Sequence, residues 1–339
     1  MIREIKEGPE VLKKTYKGLM EEVSNVISLI EEKKLNRGFI IGSGTSFHAS
    51  LVLQYLVNKF TNYRYLSIPA SEFIVWSPPN LESDILIAYS QSGESTDVIV
   101  SVKWARERGA TVIGVTNTPG STLTKLADVY LLTRAGEEKA VAATKTYDAQ
   151  LMASSVLAYS LAKKDDLIRG LSEVSKSVES VIKMSDEISS LSTGLKNTTA
   201  LFVLGRGINY PNALETSLKL KETAMIHAEG FAVREFLHGP IQLVDETTPV
   251  IIIIPNKKVL EESKKTLTKL ANYKANIIAI CGEEVEITNS VTKVIKVPQV
   301  EEEYSIFPVI KAVQLLAYYT SISKGLNPDK PTKLTKVVK

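Results

Sequence analysis

Three serines and an amide stand close together in Ser90-Gln91-Ser92-Gly93-Glu94-Ser95, directly after the apolar run Ile85-Leu86-Ile87-Ala88-Tyr89. The run reads as a buried parallel strand. A helical pattern follows from about Thr96, with Val98, Val102 and Ala105 on one side. A strand that feeds a hydroxyl-rich turn opening a helix suits an anion. The first N–H groups of the helix have no intrahelical partner, the helix dipole favours negative charge, and the hydroxyls add donors. The stretch lacks Gly-x-x-x-x-Gly-Lys-Ser/Thr, so a nucleotide P-loop is not supported. No lysine follows to hold a second phosphate. The guest it fits is a single phosphate on a small molecule, and the plainer alternative is a capped turn in an α/β fold.

A second set of residues offers proton chemistry. Pro211-Asn212-Ala213 opens a helix expected to run to about His227. Glu215, Lys219, Glu222 and Ile226 fall at i, i+4, i+7 and i+11, so they share one face. Such a row is ordinarily a solvated Glu/Lys surface. Here it directly follows the Gly205-Arg206-Gly207 turn, where doubly wound folds place ligands. The loop Arg234-Glu235-Phe236-Leu237-His238-Gly239-Pro240 comes soon after. Of the 3 histidines, His48 and His227 fit structural roles near helix ends. His238, before Gly-Pro where the chain must turn, is the better acid/base candidate. No Cys or His spacing resembles a metal site, and no metal is expected.

The elements that must position these groups alternate between strand and helix. Residues 8–34 carry a helical stripe (Leu12, Tyr16, Leu19, Val23, Val26, Ile30). Phe39-Ile40-Ile41 is a strand, and Gly42-Ser43-Gly44-Thr45-Ser46 turns into a helix reaching about Lys59. That turn lacks the third glycine of a dinucleotide fingerprint. Further strands are expected at Leu66–Pro69, Thr111–Val115 and Val129–Leu132, and a long helix at about Thr144–Ala162. A helical connector from Leu167 to Leu191 follows. The pattern then restarts after about 160 residues: Leu201–Gly207 echoes Phe39–Gly44, Pro249–Pro255 stands for the Ile85 strand, and Ile277–Ile280 for the Val112 strand. The second copy has no Ser-Gln-Ser-Gly. An amphipathic helix from Pro308 to Lys324 and a basic tail to Lys336 and beyond close the chain. The class is α/β, with two doubly wound, mainly parallel sheets.

Composition sets bounds on this reading. At 339 residues two domains are favoured, and a net charge of +3 predicts neither nucleic-acid nor membrane binding. The single Cys281 excludes an internal disulfide and suits a reducing cytoplasm. The acidic N-terminus does not read as a signal peptide, and the longest aliphatic run, Val250–Ile254, is too short to span a bilayer.

Five ordered motifs carry a resemblance. They are Ser90-Gln91-Ser92-Gly93-Glu94-Ser95; Gly136-x-Glu138-x-x-Val141-Ala142-Ala143-Thr144-Lys145; Gly205-Arg206-Gly207; Ala213-Leu214-Glu215-x-x-x-Lys219-Leu220-Lys221-Glu222; and His238-Gly239-Pro240. Together they resemble the sugar isomerase (SIS) domains of glucosamine-6-phosphate synthase over nearly the whole chain. The resemblance implies two tandem flavodoxin-like SIS domains, residues 1–165 with a sugar-phosphate cradle and 166–325 with catalytic residues, and a tail, 326–339, closing over the site. It implies that Thr45, Ser46, Ser90, Gln91, Ser92 and Ser95 bind the phosphate, and that Val141 and Ala143 line the sugar. Glu222 matches the base that moves a proton between C1 and C2, supported by Glu215 and Lys219. His238 matches the ring-opening group, supplied by the neighbouring subunit of a homodimer. Lys336 matches the tail lysine that acts on the open ketose. The implied enediol route calls for no cofactor.

Three departures accompany the match. Ala143 replaces a serine of the synthase, the His238 loop looks closer to stand-alone SIS deaminases, and the tail past Lys336 is short. The synthase also carries an N-terminal glutaminase domain with a Cys nucleophile, whereas this sequence starts where the isomerase half starts. The leading expectation is therefore a glucosamine-6-phosphate deaminase, releasing fructose 6-phosphate and ammonia. The alternatives are a glutaminase-less aminotransferase-like enzyme, a fructosamine-6-phosphate deglycase, an isomerase of nitrogen-free sugar phosphates, and a SIS sensor that binds without turnover.

Overall fold

A computed structural model describes residues 1–287 and 291–336, so the end of the basic tail lies outside the described residues. The chain divides into two compact units. The first comprises Glu7–Glu138, Ala143–Glu173 and the chain from Thr335. The second comprises Met1–Lys6, Lys139–Ala142 and Val174–Leu334.

The chain opens with one long helix, α1 (Ile2–Glu32), which starts earlier than its apolar stripe. The first unit then alternates β1 (Arg37–Gly42), α2 (Thr45–Phe60), β2 (Arg64–Pro69), α3 (Ala70–Trp76), β3 (Ile85–Tyr89), α4 (Thr96–Arg106), β4 (Thr111–Thr116), α5 (Thr122–Leu126) and β5 (Val129–Leu132). After these come α6 (Lys145–Leu161) and α7 (Asp165–Gly170). The sheet order is β2-β1-β3-β4-β5, with every pairing parallel. Every residue of β3 and β4 is buried, which explains why their sequences run apolar without alternation. One face packs Leu86, Ala88 and Val112 against Val98, Val102 and Phe73.

The second unit begins with α8 (Val174–Lys183) and α9 (Ser185–Ser192). The expected single connector is thus three helices, α7 to α9. It continues with β6 (Ala200–Gly205), α10 (Tyr210–Ala224), β7 (His227–Ala232), β8 (Pro249–Ile254), α11 (Lys257–Asn272), β9 (Asn276–Gly282), β10 (Lys293–Val297) and α12 (Ile306–Ser323). Its sheet order is β10-β9-β8-β6-β7, again all parallel. Read from the other edge this is the order of the first sheet, with β6 to β10 in the places of β1 to β5. The recurring sequence pattern is a duplicated 2-1-3-4-5 topology, the flavodoxin-like order.

Two helices differ from expectation. α10 stops at Ala224 because Met225 takes a left-handed cap (φ 53°) and its N–H returns to Leu220 O. Ile226 therefore lies beyond the helix, and His227 begins a strand instead of ending a helix. α12 is not amphipathic. It packs against α8, α9 and α10 within its unit and is buried on nearly every side, Lys311 included. Lys311 Nζ is accommodated by donating to Gln314 Oε1 (2.6 Å) and Ile5 O (3.3 Å).

Candidate active site

In the first unit, β1 and β3 are neighbours whose chain connections lead to opposite sides of the sheet. That is the switch point, beyond whose strand ends ligands bind in such folds. Both expected hydroxyl turns lie there. After β1, Gly44 takes φ 54°, and α2 begins with no side-chain cap. A Cβ on Gly42 would lie 2.7 Å from the Ser46 backbone carbon, so glycine is what lets the helix start so near the strand. Ser46 Oγ is held by Gln150 Nε2 of α6 at 2.9 Å, and Thr45 is half-buried beside it.

After β3, Ser90 is buried and its N–H donates to Val115 O (3.0 Å). Its Oγ lies 3.1 Å from Ser95 Oγ and accepts Gly93 N–H at 3.1 Å. Gly93 takes φ 66°, and Ser92 Oγ accepts Glu94 N–H at 3.1 Å. The Gln91 carbonyl accepts from Asn117 N (3.0 Å), Thr116 Oγ1 (3.3 Å) and Thr118 Oγ1 (3.4 Å), pinning the loop from below. α4 opens at Ser95 without a side-chain cap. Two uncapped helix starts and a rigid hydroxyl loop thus share one end of one sheet, which equips it to bind an anion.

The loop before α6 holds an acid whose role the sequence alone does not disclose. Glu138 is buried, and its Oε1 accepts Thr144 N (2.8 Å), Thr144 Oγ1 (3.2 Å) and Thr146 N (3.3 Å). Its Oε2 accepts Thr146 Oγ1 (2.6 Å) and Lys336 Nζ (2.6 Å). Burial pushes this carboxyl up, yet Lys336 and the threonine donors outweigh it and hold the group below its ordinary value. Lys336, the expected tail lysine, is therefore paired with Glu138. Ala143 is half-buried in the same loop. Val141 is counted with the second unit, where its N–H donates to Asp329 O (3.1 Å).

In the second unit the α10 row is no solvated face. Lys219 and Glu215 are buried, with Nζ 3.3 Å from Glu215 Oε1, and Lys219 also pairs with Glu222. Burial disfavours the ammonium, but the two carboxylates outweigh it and raise Lys219 above its usual value. Glu222, its side chain 20% exposed, borders a cavity of about 570 Å³ also lined by Lys221, His227, Lys330 and Lys333. A carboxylate backed by a buried ammonium and open to a cavity can take and return a proton. His238 is not among the residues lining that cavity. It is exposed, after the short turn Glu235–Leu237 and before Gly239 (φ 129°). His48 is half-buried in α2, and His227 Nε2 lies 3.2 Å from Glu229 Oε1.

The SIS domain model matches residues 29–160 and 194–323, one match on each sheet. The chain belongs to the SIS domain family. Among SIS relatives, the glutamine–fructose-6-phosphate aminotransferase (isomerizing) of Pyrococcus horikoshii is 37% identical, aligned over 100% of this chain and 57% of its own length. The enzyme of the same name from Aquifex aeolicus is 36% identical, with the same coverage. The chain therefore spans under two thirds of the curated relatives it matches. The C-terminal domain of glucosamine-fructose-6-phosphate aminotransferase from Francisella tularensis superposes with a TM-score of 0.90 at 27% identity, covering 97% of this chain and 98% of that domain. A glucosamine-6-phosphate deaminase from Thermotoga maritima shares the fold, with a TM-score of 0.73 at 23% identity over 99% and 98%.

Proposed function

We propose that this SIS chain is a sugar-phosphate amino-isomerase that converts glucosamine 6-phosphate to fructose 6-phosphate and ammonia. Glu222 removes the C2 proton of the open-chain amino sugar, giving an enolamine, and returns the proton to C1. Water then adds to the resulting C2 imine, and ammonia leaves a ketone. The observation that carries this reading is the buried Lys219 joining Glu215 to the cavity-facing Glu222. A sensor has no need of such a group. Thr45, Ser46, Ser90, Gln91, Ser92 and Ser95 bind the phosphate, with Val141 and Ala143 beside the sugar. His238 opens the ring, from the second copy in a homodimer, and Lys336 acts on the open ketose.

Cys281 is buried in β9, and burial pushes its thiol up, so this residue is unsuited to attack an amide. A second reading is favoured by the names of the relatives: ammonia drawn from glutamine would run the same site towards the amino sugar.

The purified chain is given glucosamine 6-phosphate, or fructose 6-phosphate with ammonium chloride, and both products are quantified. Ammonia with matching fructose 6-phosphate supports the deaminase. Amino sugar formed only from the second mixture supports the second reading. No conversion in either mixture contradicts both.

A further inference from the structure

Glu138 is a buried carboxylate to which the proposed chemistry assigns no step. Taking such a group out of water costs several kcal/mol unless charge and hydrogen bonds compensate. Thr144, at the start of α6, and Thr146, in its first turn, compensate in part, with four donations. All four are neutral. The positive charge comes from Lys336, 198 positions along the chain, and the resulting bond is charge-assisted at 2.6 Å. The lysine side chain is 25% exposed and the carboxylate 0%. The acid is thus fixed by the protein interior, and the ammonium at the rim takes its position from the acid.

We infer that Glu138 is the positioning residue for Lys336. Its carboxylate sets where the tail ammonium stands, on the loop that carries Ala143, so that a long flexible side chain is presented at one place. The inference rests on the reading of Lys336 as the group that acts on the open ketose. Glu138 itself touches no substrate in this account. Thr144 and Thr146 hold the carboxylate with bonds that do not involve the tail.

The test uses the full chain, with Glu138→Gln, Lys336→Met and the double variant. Gln keeps the shape of Glu and an acceptor for the Thr144 N–H, but removes the charge. Trace acetic anhydride is applied and acetylation of each lysine is read by peptide mass spectrometry, with Lys333 as internal reference. Glu138→Gln is expected to raise Lys336 labelling several-fold relative to Lys333. Unchanged labelling overturns the inference, and this readout does not depend on turnover. Should Glu138→Gln not fold, Glu138→Asp keeps the charge one methylene further back and is expected to label at an intermediate rate; wild-type protection there overturns the inference equally.

Kinetics add a readout that a merely structural role would not move. Glu138→Gln and Lys336→Met are each expected to lower kcat with little change in KM, and the double variant to be no slower than Lys336→Met alone. Additive losses would overturn the coupling. A wild-type chain that turns over no sugar phosphate defeats the proposed function, while the labelling still decides the role of Glu138.

Discussion

Lys219 Nζ stands 3.3 Å from Glu215 Oε1 with both side chains out of solvent, and the same ammonium pairs with Glu222, the more exposed acid. Two carboxylates share one cation, and the one with access to the cavity is the one assigned the proton. The arrangement is costly to break. Lys219→Met removes a buried ammonium from its pair with Glu215, a loss of about 3–5 kcal/mol in comparable cases. Urea unfolding should show a drop of that order, and a change below about 1 kcal/mol, the value of an exposed pair, would contradict the buried-pair account.

The proton role of Glu222 predicts a different signature. Glu222→Gln keeps the shape and loses the base, so the rate should fall by ~100-fold or more. Substrate binding, read by calorimetry or thermal shift, should change little. Equal losses in rate and binding would mean that Glu222 holds the sugar and does not act on it.

The hydroxyl loop depends on one backbone conformation. Gly93 has φ 66°, and a Cβ there would fall on Ser121, 2.5 Å from its Cβ. Gly93→Ala should therefore displace the Ser90–Ser95 loop, at a cost of roughly 1–2 kcal/mol from the left-handed conformation alone. If the loop binds phosphate, the KM for a phosphosugar and the Ki for inorganic phosphate should both rise. An unchanged Ki would remove the loop from the phosphate site.

Much of this was legible in the sequence, for physical reasons that can be named. β3, β4, β8 and β9 announce themselves because strands buried on both faces must be continuously apolar. The hydroxyl turns follow the strands at which the sheet order reverses, so their position was readable from strand–turn–helix order alone. β7 was missed. His227-Ala228-Glu229-Gly230-Phe231-Ala232 is an edge strand paired with β6, and it carries no run or alternation to mark it. The burial of Lys219 and Lys311 was illegible too. Lysine spacing looks the same on a wet face as on one whose partners come from the same turn of helix or from Ile5. Glu138 stands in the Gly136-x-Glu138-x-x-Val141 motif, but its meaning depends on Thr144, Thr146 and Lys336, and the last of these is distant in sequence.

Glu138 also predicts an acid limb to stability. Its folded-state value lies below the ordinary carboxylate value of about 4.5. Its contribution is therefore fully present above that unfolded value and is lost as pH falls through the lower folded one. Glu138→Gln should flatten this part of the stability–pH curve, measured by denaturant unfolding between about pH 5 and pH 2. An acid limb identical to wild type would show that the group is not ionised in the folded chain.

The most direct measurement is deuterium wash-in. Fructose 6-phosphate is incubated with the chain and ammonium ion in deuterium oxide, and C1 and C2 are followed by NMR. Proton transfer at Glu222 predicts deuterium entering from solvent at the carbons that exchange the proton, and its loss in Glu222→Gln. A wild-type chain that binds the sugar phosphate and leaves both carbons unlabelled would contradict the account.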